Sequence, residues 1–340
     1  MRKKRVTIKD IAEACGVSTA TVSHVLNGTA PISPETTAKV LKVVQETNYE
    51  PNVFARNLRR RESQTIAFIA NTVMSDLVPN MMGGAMQAAV DRGYNLIIGE
   101  ARQKVGSQAF YQWLVRSHQA TGLLFCNNWV TAVNYKVPPH TPVVYLYCFS
   151  AEESQDCILP DSVAGGYKAA AHLISLGRRR IAYIGGTINW KCTQDRLTGY
   201  RMAHTDAGIA VDESLIDFGD WTAEGGYRAA ARLLSSGKEM DAMFVANDLM
   251  AVGVMDAIWE RGLRVPEDIA IVGYDDIPIA AATRPALTTI CLPNYDMGYT
   301  ACNLLIDKIE GKPPRRKGSE YGCTLVVRDS CGAGKQRAAY

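Results

Sequence analysis

No stretch of this 340-residue chain approaches the roughly 18 consecutive apolar residues that would span a bilayer. The start MRKKRVTIKD has the basic opening of a signal peptide but lacks the apolar run that must follow, so the expected location is the cytoplasm, with no membrane partner. The nine cysteines (Cys15, Cys126, Cys148, Cys157, Cys192, Cys291, Cys302, Cys323 and Cys331) form no CxxC pair and no Cys/His cluster. That argues against a zinc site and against a disulfide framework. They read as small buried hydrophobes, with Cys331 alone an exposed thiol in a polar tail over 331–340. The patterns GxSxG, Walker A, GxGxxG and HExxH are missing, and none of His24, His118, His140, His172 or His204 falls in a recognisable triad. Catalysis, a metal and a cofactor are therefore not expected.

What is present begins with an asymmetry of charge. The net charge of +3 combines eleven Lys/Arg against six Asp/Glu in residues 1–62 (+5) with 26 against 28 in the remaining 278 (−2). The excess sits in Arg2, Lys3, Lys4 and Arg5 and in Arg56, Arg59, Arg60 and Arg61. A basic head on a near-neutral body points to polyanion binding. With 47% hydrophobic and 21% charged residues the composition is that of a soluble globular protein, and this length suits two or three domains rather than one core.

Residues 7–27, TIKDIAEACGVSTATVSHVLN, predict two short helices joined by a tight turn. Thr7 is an N-cap for a helix over 8–15, whose Ile8, Ile11 and Ala12 stand at i, i+3 and i+4. Gly16 supplies the positive φ of the turn. Ser18 caps the second helix, where Val22, Val25 and Leu26 repeat the spacing and Gly28 is the stop. With that face turned inward, Thr19, Ala20, Ser23, His24 and Asn27 point away. A third helix opens at Ser33, Pro34 and Glu35 and runs through Val40, Leu41, Val43 and Val44 to about residue 48, completing a three-helix core. A helix-turn-helix lays its second helix in the major groove, with N-terminal residues at base edges.

Residues 51–59, PNVFARNLR, are good helix formers behind a proline. They are fewer than the roughly 12–15 that hold a helix alone in water. From Arg59 onward, RRRESQ is a polar linker. From residue 65 the pattern changes to short apolar runs alternating with helical stretches. Strands are expected at 65–70, 94–99, 122–126 and 142–147, with helices over 81–92 and 108–117 between them. A second series has strands at 180–186, 241–247 and 268–276 and helices near 163–176, 194–207, 223–235 and 248–261. Alternating β and α implies parallel sheets covered by helices on both faces, here in two similar lobes.

TIKDIAEACGVSTATVSHVLNG followed by PISPETTAKVLKVVQETNYEPNVFARNLRR resembles the LacI/GalR family of bacterial transcriptional repressors, and the resemblance runs over almost the whole chain. It implies a small all-α helix-turn-helix domain (1–50), a hinge helix and linker (51–62), and a two-lobed α/β body of the type I periplasmic-binding-protein kind. The body's lobes are expected at 63–161 plus 292–323 and at 162–291 plus 324–330, with crossings near Asp161, Leu292 and Thr324. A last helix over 295–309 would return to the first lobe, with a strand over 323–328 nearby. The resemblance carries the major-groove role to Thr19, Ala20 and His24, with Ser23 on the same face. His24 stands where the commoner family residue is arginine; its ring nitrogens can donate or accept at a base edge. In the hinge, Leu58 matches the leucine that wedges into the minor groove, flanked by Arg56, Asn57 and Arg59. Such a wedge costs a few kcal/mol of unstacking, offset by the contacts a bent duplex allows.

For the body, ligands of parallel sheets sit beyond the carboxyl ends of strands. There the resemblance assigns Arg196 and Asp275 to an effector site, a planar donor fork and a bidentate acceptor suited to sugar hydroxyls or a polar heterocycle edge. An Arg196–Asp275 salt bridge is the rival reading. Trp221 matches the ring-stacking position; Asn247, Asp248 and Asp161 are candidate hydroxyl partners, and Trp190 a weaker member. Asp248 alternatively only caps the following helix. Two departures mark the first-lobe half of the pocket: Leu77-Val78 where relatives often carry paired phenylalanines, and Tyr147-Cys148 where an acidic or larger polar residue is common. The expectation is an effector-controlled repressor, a homodimer on near-palindromic double-stranded operator DNA, with a sugar or sugar acid as first choice of effector. A nucleobase-responsive repressor and a transport-type solute receptor are the alternatives. The tail RDSCGAGKQRAAY has no leucine heptads, so a dimer rather than a tetramer is expected.

Overall fold

The computed structural model describes residues 6–47, 49, 63–100, 108–117, 119–151, 156–313 and 319–333. It has two units, Met1–Ser63 and Gln64–Tyr340. In the first, α1 (Ile8–Cys15) begins with a capping box: the Thr7 hydroxyl accepts from the Asp10 amide, and the Asp10 carboxylate accepts from the Thr7 amide at 2.7 Å. Gly16, at φ 64°, turns the chain into α2 (Thr19–Asn27), capped by Ser18 at 3.0 Å from the Thr21 amide. Gly28 closes α2 in the left-handed conformation, and α3 (Pro34–Glu46) starts at Ser33 with proline in its first turn. Ile11, Ala12, Cys15, Val22 and Val40 form the core, with Ile8, Val25, Leu26, Val43 and Val44 packed around it. Leu41 departs from the expected core and is 49% exposed, because the residue beside Val40 is rotated about 100° from the buried stripe.

The second unit has two six-stranded sheets and one of two strands, with helices between and around them. Its first elements are β1 (Thr65–Ala70), α4 (Val78–Asp91), β2 (Asn95–Glu100), α5 (Gln108–Ser117), β3 (Gly122–Cys126), β4 (Ala132–Val133), β5 (Val143–Leu146), β6 (Phe149–Ser150) and β7 (Cys157–Pro160). Then come α6 (Ser162–Ser175), β8 (Ile181–Gly185), α7 (Lys191–Asp206), β9 (Ile216–Phe218), α8 (Ala223–Ser235), β10 (Ala242–Val245) and α9 (Asp248–Trp259). The remainder is β11 (Ala270–Asp275), α10 (Pro278–Ala282), β12 (Thr288–Cys291), α11 (Asn294–Ile309), β13 (Ser319–Tyr321) and β14 (Thr324–Val326).

One sheet has the order β13-β7-β5-β3-β1-β2, with every neighbouring pair parallel. The other has the order β14-β12-β11-β10-β8-β9, parallel except for β12 with β14. The chain passes from the first lobe to the second after β7, returns after β12 so that α11 packs on α4, and crosses again between β13 and β14. The strand expected near 323–328 is β14, on the second-lobe sheet; β13, just before it on the first-lobe sheet, was not expected. β1 and β3 are buried along their whole length, as strands covered on both faces must be.

The polar tail does not begin at residue 331. Cys331 is 1% exposed; its thiol accepts from the Thr288 hydroxyl at 3.1 Å and lies 3.3 Å from His172 Nε2. Ser330 bridges β11 and β12 through the Ile271 carbonyl and the Thr288 amide, which draws the segment after β14 into the second-lobe core.

Candidate functional site

In the head, Val22 on α2 is buried against α1 and α3, while Ala20 is exposed and Thr19, Ser23 and His24 are half-buried. His24 Nδ1 is 2.8 Å from the Thr29 hydroxyl, which orients the ring and leaves Nε2 as its other hydrogen-bonding nitrogen. Whichever way that bond runs, Nε2 takes the opposite role to Nδ1 in the neutral ring. Arg56, Asn57, Leu58 and Arg59 lie outside the described residues.

In the second unit, a cavity of about 390 Å³ opens between the lobes. The first lobe contributes Met74, Ser75, Asp76 and Leu77 after β1, Asn128 and Trp129 after β3, and Tyr147 after β5. The second contributes Trp190, Cys192 and Arg196 after β8, Asp220 and Trp221 after β9, Asn247 and Leu249 after β10, and Asp275 and Ile277 at the end of β11. All are at carboxyl ends of parallel strands, where the helices leave and the sheet offers room for a ligand. Of six non-glycine residues with positive φ among the described residues, Tyr147, Trp221 and Asp275 line this cavity and Asp276 adjoins it. Strain of that kind gathers where backbone is held for a purpose.

Arg196 is 2% exposed and lies with its guanidinium carbon 3.6 Å from the centre of the Tyr274 ring. It donates to the Ala246 carbonyl and reaches Asp275 Oδ1 at 3.5 Å, so the salt bridge proposed as a rival reading is present inside the cavity wall. Its Nε and the indole Nε1 of Trp221 are buried donors with no acceptor among the described residues. Burial pushes the Asp275 carboxyl up to about 7 against the lowering pull of Arg196, and the Asp76 charge raises it further. Asn247 caps α9 through the Met250 amide and donates its Nδ2 to the Trp221 carbonyl at 3.1 Å. Trp190 and Trp221 stack with centroids 5.8 Å apart.

Two expected members do not reach the cavity. The Asp161 carboxylate caps α6, accepting from the Ala164 amide at 2.8 Å. Asp248 is fully buried and accepts from the Thr289 hydroxyl at 2.6 Å and the Ile277 amide at 2.9 Å, a tie between α9, β12 and the loop after Asp275. Burial raises its pKa to about 8. Sequence reasoning missed Asp76, Asn128, Trp129, Cys192, Asp220 and Ile277; Trp129 was within reach of it, since it follows the carboxyl end of an apolar run. Among the described residues no group of three His, Cys, Asp or Glu side chains could hold a metal ion, and no helix is long and apolar enough to cross a membrane.

Residues 7–52 match the description of the bacterial regulatory proteins, lacI family, and residues 170–331 that of a periplasmic binding protein-like domain. The chain is 34% identical over 335 residues to the HTH-type transcriptional repressor PurR of Erwinia tasmaniensis, covering 97% of this chain and 98% of that one. The chain belongs to the lacI family of bacterial regulatory proteins. It is 35% identical over 328 residues to the ribose operon repressor of Haemophilus influenzae, covering 95% of this chain and 98% of the relative. Among solved structures it resembles the lac repressor dimer bound to operator and the anti-inducer ONPF, with TM-score 0.79, 27% identity and coverage of 96% and 99%. As a lacI-family member it is a DNA-binding repressor controlled by a small-molecule effector; the relatives it matches are repressors, not enzymes.

Proposed function

We propose that this chain represses transcription as a cytoplasmic homodimer on a near-palindromic operator, and that its effector is a neutral sugar held in the inter-lobe cavity. Thr19, Ala20, Ser23 and His24 read the major groove in this proposal, with Arg56, Asn57, Leu58 and Arg59 at the minor groove. Arg196, Asp275, Trp221, Asn247 and Trp190 hold the effector.

The observation that carries the effector class is the composition of the cavity wall. It mixes indole faces with amides and carboxylates, the pairing that suits the C–H face and the hydroxyl edge of a sugar. Among the described residues its one guanidinium, Arg196, is engaged with Asp275, while Asp76 and Asp220 add two more carboxylates. A sugar acid would bring its charge to a wall already rich in carboxylates, so the neutral sugar is the better fit. For the dimer, Met86 and Val90 stand one turn apart and exposed on α4, and Tyr295 and Tyr299 likewise on the neighbouring α11. Apolar and aromatic surface of this kind is what a second subunit covers. No catalytic step and no cofactor enters this reading.

The test is a thermal-shift screen of neutral sugars, sugar acids and nucleobases, followed by gel shift on a palindromic library with each hit. A ligand at a hundred times its Kd adds about 2.7 kcal/mol, enough to raise Tm by several degrees. A neutral sugar is expected to do so and to change operator retardation, whereas His24→Ala should disturb operator choice and leave the shift intact. Stabilisation by nucleobases or sugar acids alone would overturn the effector class; no sequence-specific retardation under any condition would overturn the repressor.

A further inference from the structure

Three indoles form a row along the cavity, and the row crosses the cleft. Trp129 comes from the first lobe, after β3, while Trp190 and Trp221 come from the second. The Trp129 and Trp190 centroids are 5.2 Å apart with planes inclined at 30°; those of Trp190 and Trp221 are 5.8 Å apart at 25°. Both spacings exceed the roughly 3.5–4.0 Å of rings lying face to face and fall within the about 4.5–7 Å range of tilted and offset aromatic pairs. All three are half-buried and all three line the cavity.

The polar groups divide between the ends of that row. At the inner end the Arg196 guanidinium lies 5.6 Å from the Trp221 ring, with Asp275 and Asn247 beside it. Two buried donors there, Arg196 Nε and Trp221 Nε1, lack acceptors among the described residues. At the outer end Asn128, next to Trp129, accepts from Asn71 Nδ2 at 2.6 Å through its carbonyl oxygen. Its own amide N–H groups have no acceptor among the described residues. The volume of about 390 Å³ exceeds what a single hexose fills.

We infer that the effector is a two-ring glycan, a disaccharide, with one ring at the Arg196–Asp275–Trp221 end and the other over Trp190 and Trp129, so that Trp129 selects for the second ring. This rests on the neutral-sugar reading of the same cavity. A monosaccharide at the inner end meets mostly second-lobe groups and leaves the Trp129–Trp190 surface wet. A second ring covers that surface and touches both lobes at once.

The test is calorimetry on the full chain with monosaccharides (glucose, galactose, mannose, fructose, ribose) and disaccharides (cellobiose, maltose, lactose, trehalose, sucrose). At least one disaccharide is expected to bind tenfold or more tighter than each of its constituent monosaccharides. Trp129→Ala should cut that ratio at least tenfold, and Trp129→Phe should restore most of it; circular dichroism and Tm of both variants check that they fold. A monosaccharide that binds as tightly as every disaccharide, or a ratio unchanged in Trp129→Ala, overturns the inference and leaves the sugar reading standing. Binding of nucleobases with no sugar binding at all overturns both.

Discussion

Asp248 and Asp275 are carboxylates held where ionisation is unfavourable. The first is wholly enclosed, with its oxygens on Thr289 and Ile277; the second is nearly buried in the cavity wall, its side chain 11% exposed, with Arg196 and Asp76 nearby. Burial raises the two to about 8 and about 7, whereas an unfolded chain titrates them at about 3.9. A raised folded-state value means that the native protein binds more protons than the unfolded one between those limits. The associated stability is fully present below about pH 4 and is lost as the pH rises through about 7 and 8. Tm should therefore fall between pH 6 and 9. Asp248→Asn can keep both hydrogen bonds, its oxygen accepting from the Ile277 amide and its NH2 donating to the Thr289 hydroxyl. Its Tm should fall less over the same range, by a difference worth up to a few kcal/mol; scanning calorimetry of both proteins at matched ionic strength checks this. Equal slopes would show that Asp248 does not titrate in the window.

Among the elements, the approach of the turn after β8 to the loop after β9 sets the position of the inner indole. A Cβ built at Gly186 would fall 2.1 Å from the Trp221 ring. Gly186→Ala must push the indole away from Trp190 and out of line with Arg196 while leaving the buried β8 untouched. Affinity for the proposed sugar should drop about tenfold or more with a change in Tm of only a few degrees, measured by calorimetry on the same preparation. The three helices of the head were legible because their boundaries are local: Thr7, Ser18 and Ser33 cap them, and Gly16 and Gly28 end them. β7, β9 and β13 were not, since three or four residues carry too little periodicity to separate a strand from a loop. α7 begins at Lys191, one turn earlier than the apolar pattern indicated, because its first turn is fixed by the Trp190 carbonyl accepting from the Thr193 and Gln194 amides.

For the whole molecule, control is a coupling between effector and operator. An effector can alter DNA affinity only through its preference between lobe arrangements, and the coupling is reciprocal. If a sugar changes the operator Kd by some factor, typically about 5- to 150-fold, saturating operator must change the sugar Kd by the same factor. Fluorescence titrations run both ways on one preparation check this. Unequal factors at equilibrium would mean a third state or an unrecognised stoichiometry. The strand ends of both sheets meet at one cavity, so any ligand that fills it contacts groups from the two lobes together. That arrangement is the physical basis on which a small molecule can bias a larger rearrangement.

Local patterns specify the helix-turn-helix head, the family and the alternation that makes two parallel-sheet lobes, because caps, glycine turns and side-chain periodicity act within a few residues of one another. The sequence also pointed to Arg196, Asp275, Trp221, Asn247 and Trp190, which line the cavity. The tertiary structure decided the rest. It turned Asp161 and Asp248 away to cap and tie, buried Cys331, and brought Trp129 from the opposite lobe into line with Trp190 and Trp221. Those outcomes depend on which loops converge at the cleft and which way each side chain leaves its element. Both are set by packing between residues dozens to more than a hundred positions apart, which no local spacing records.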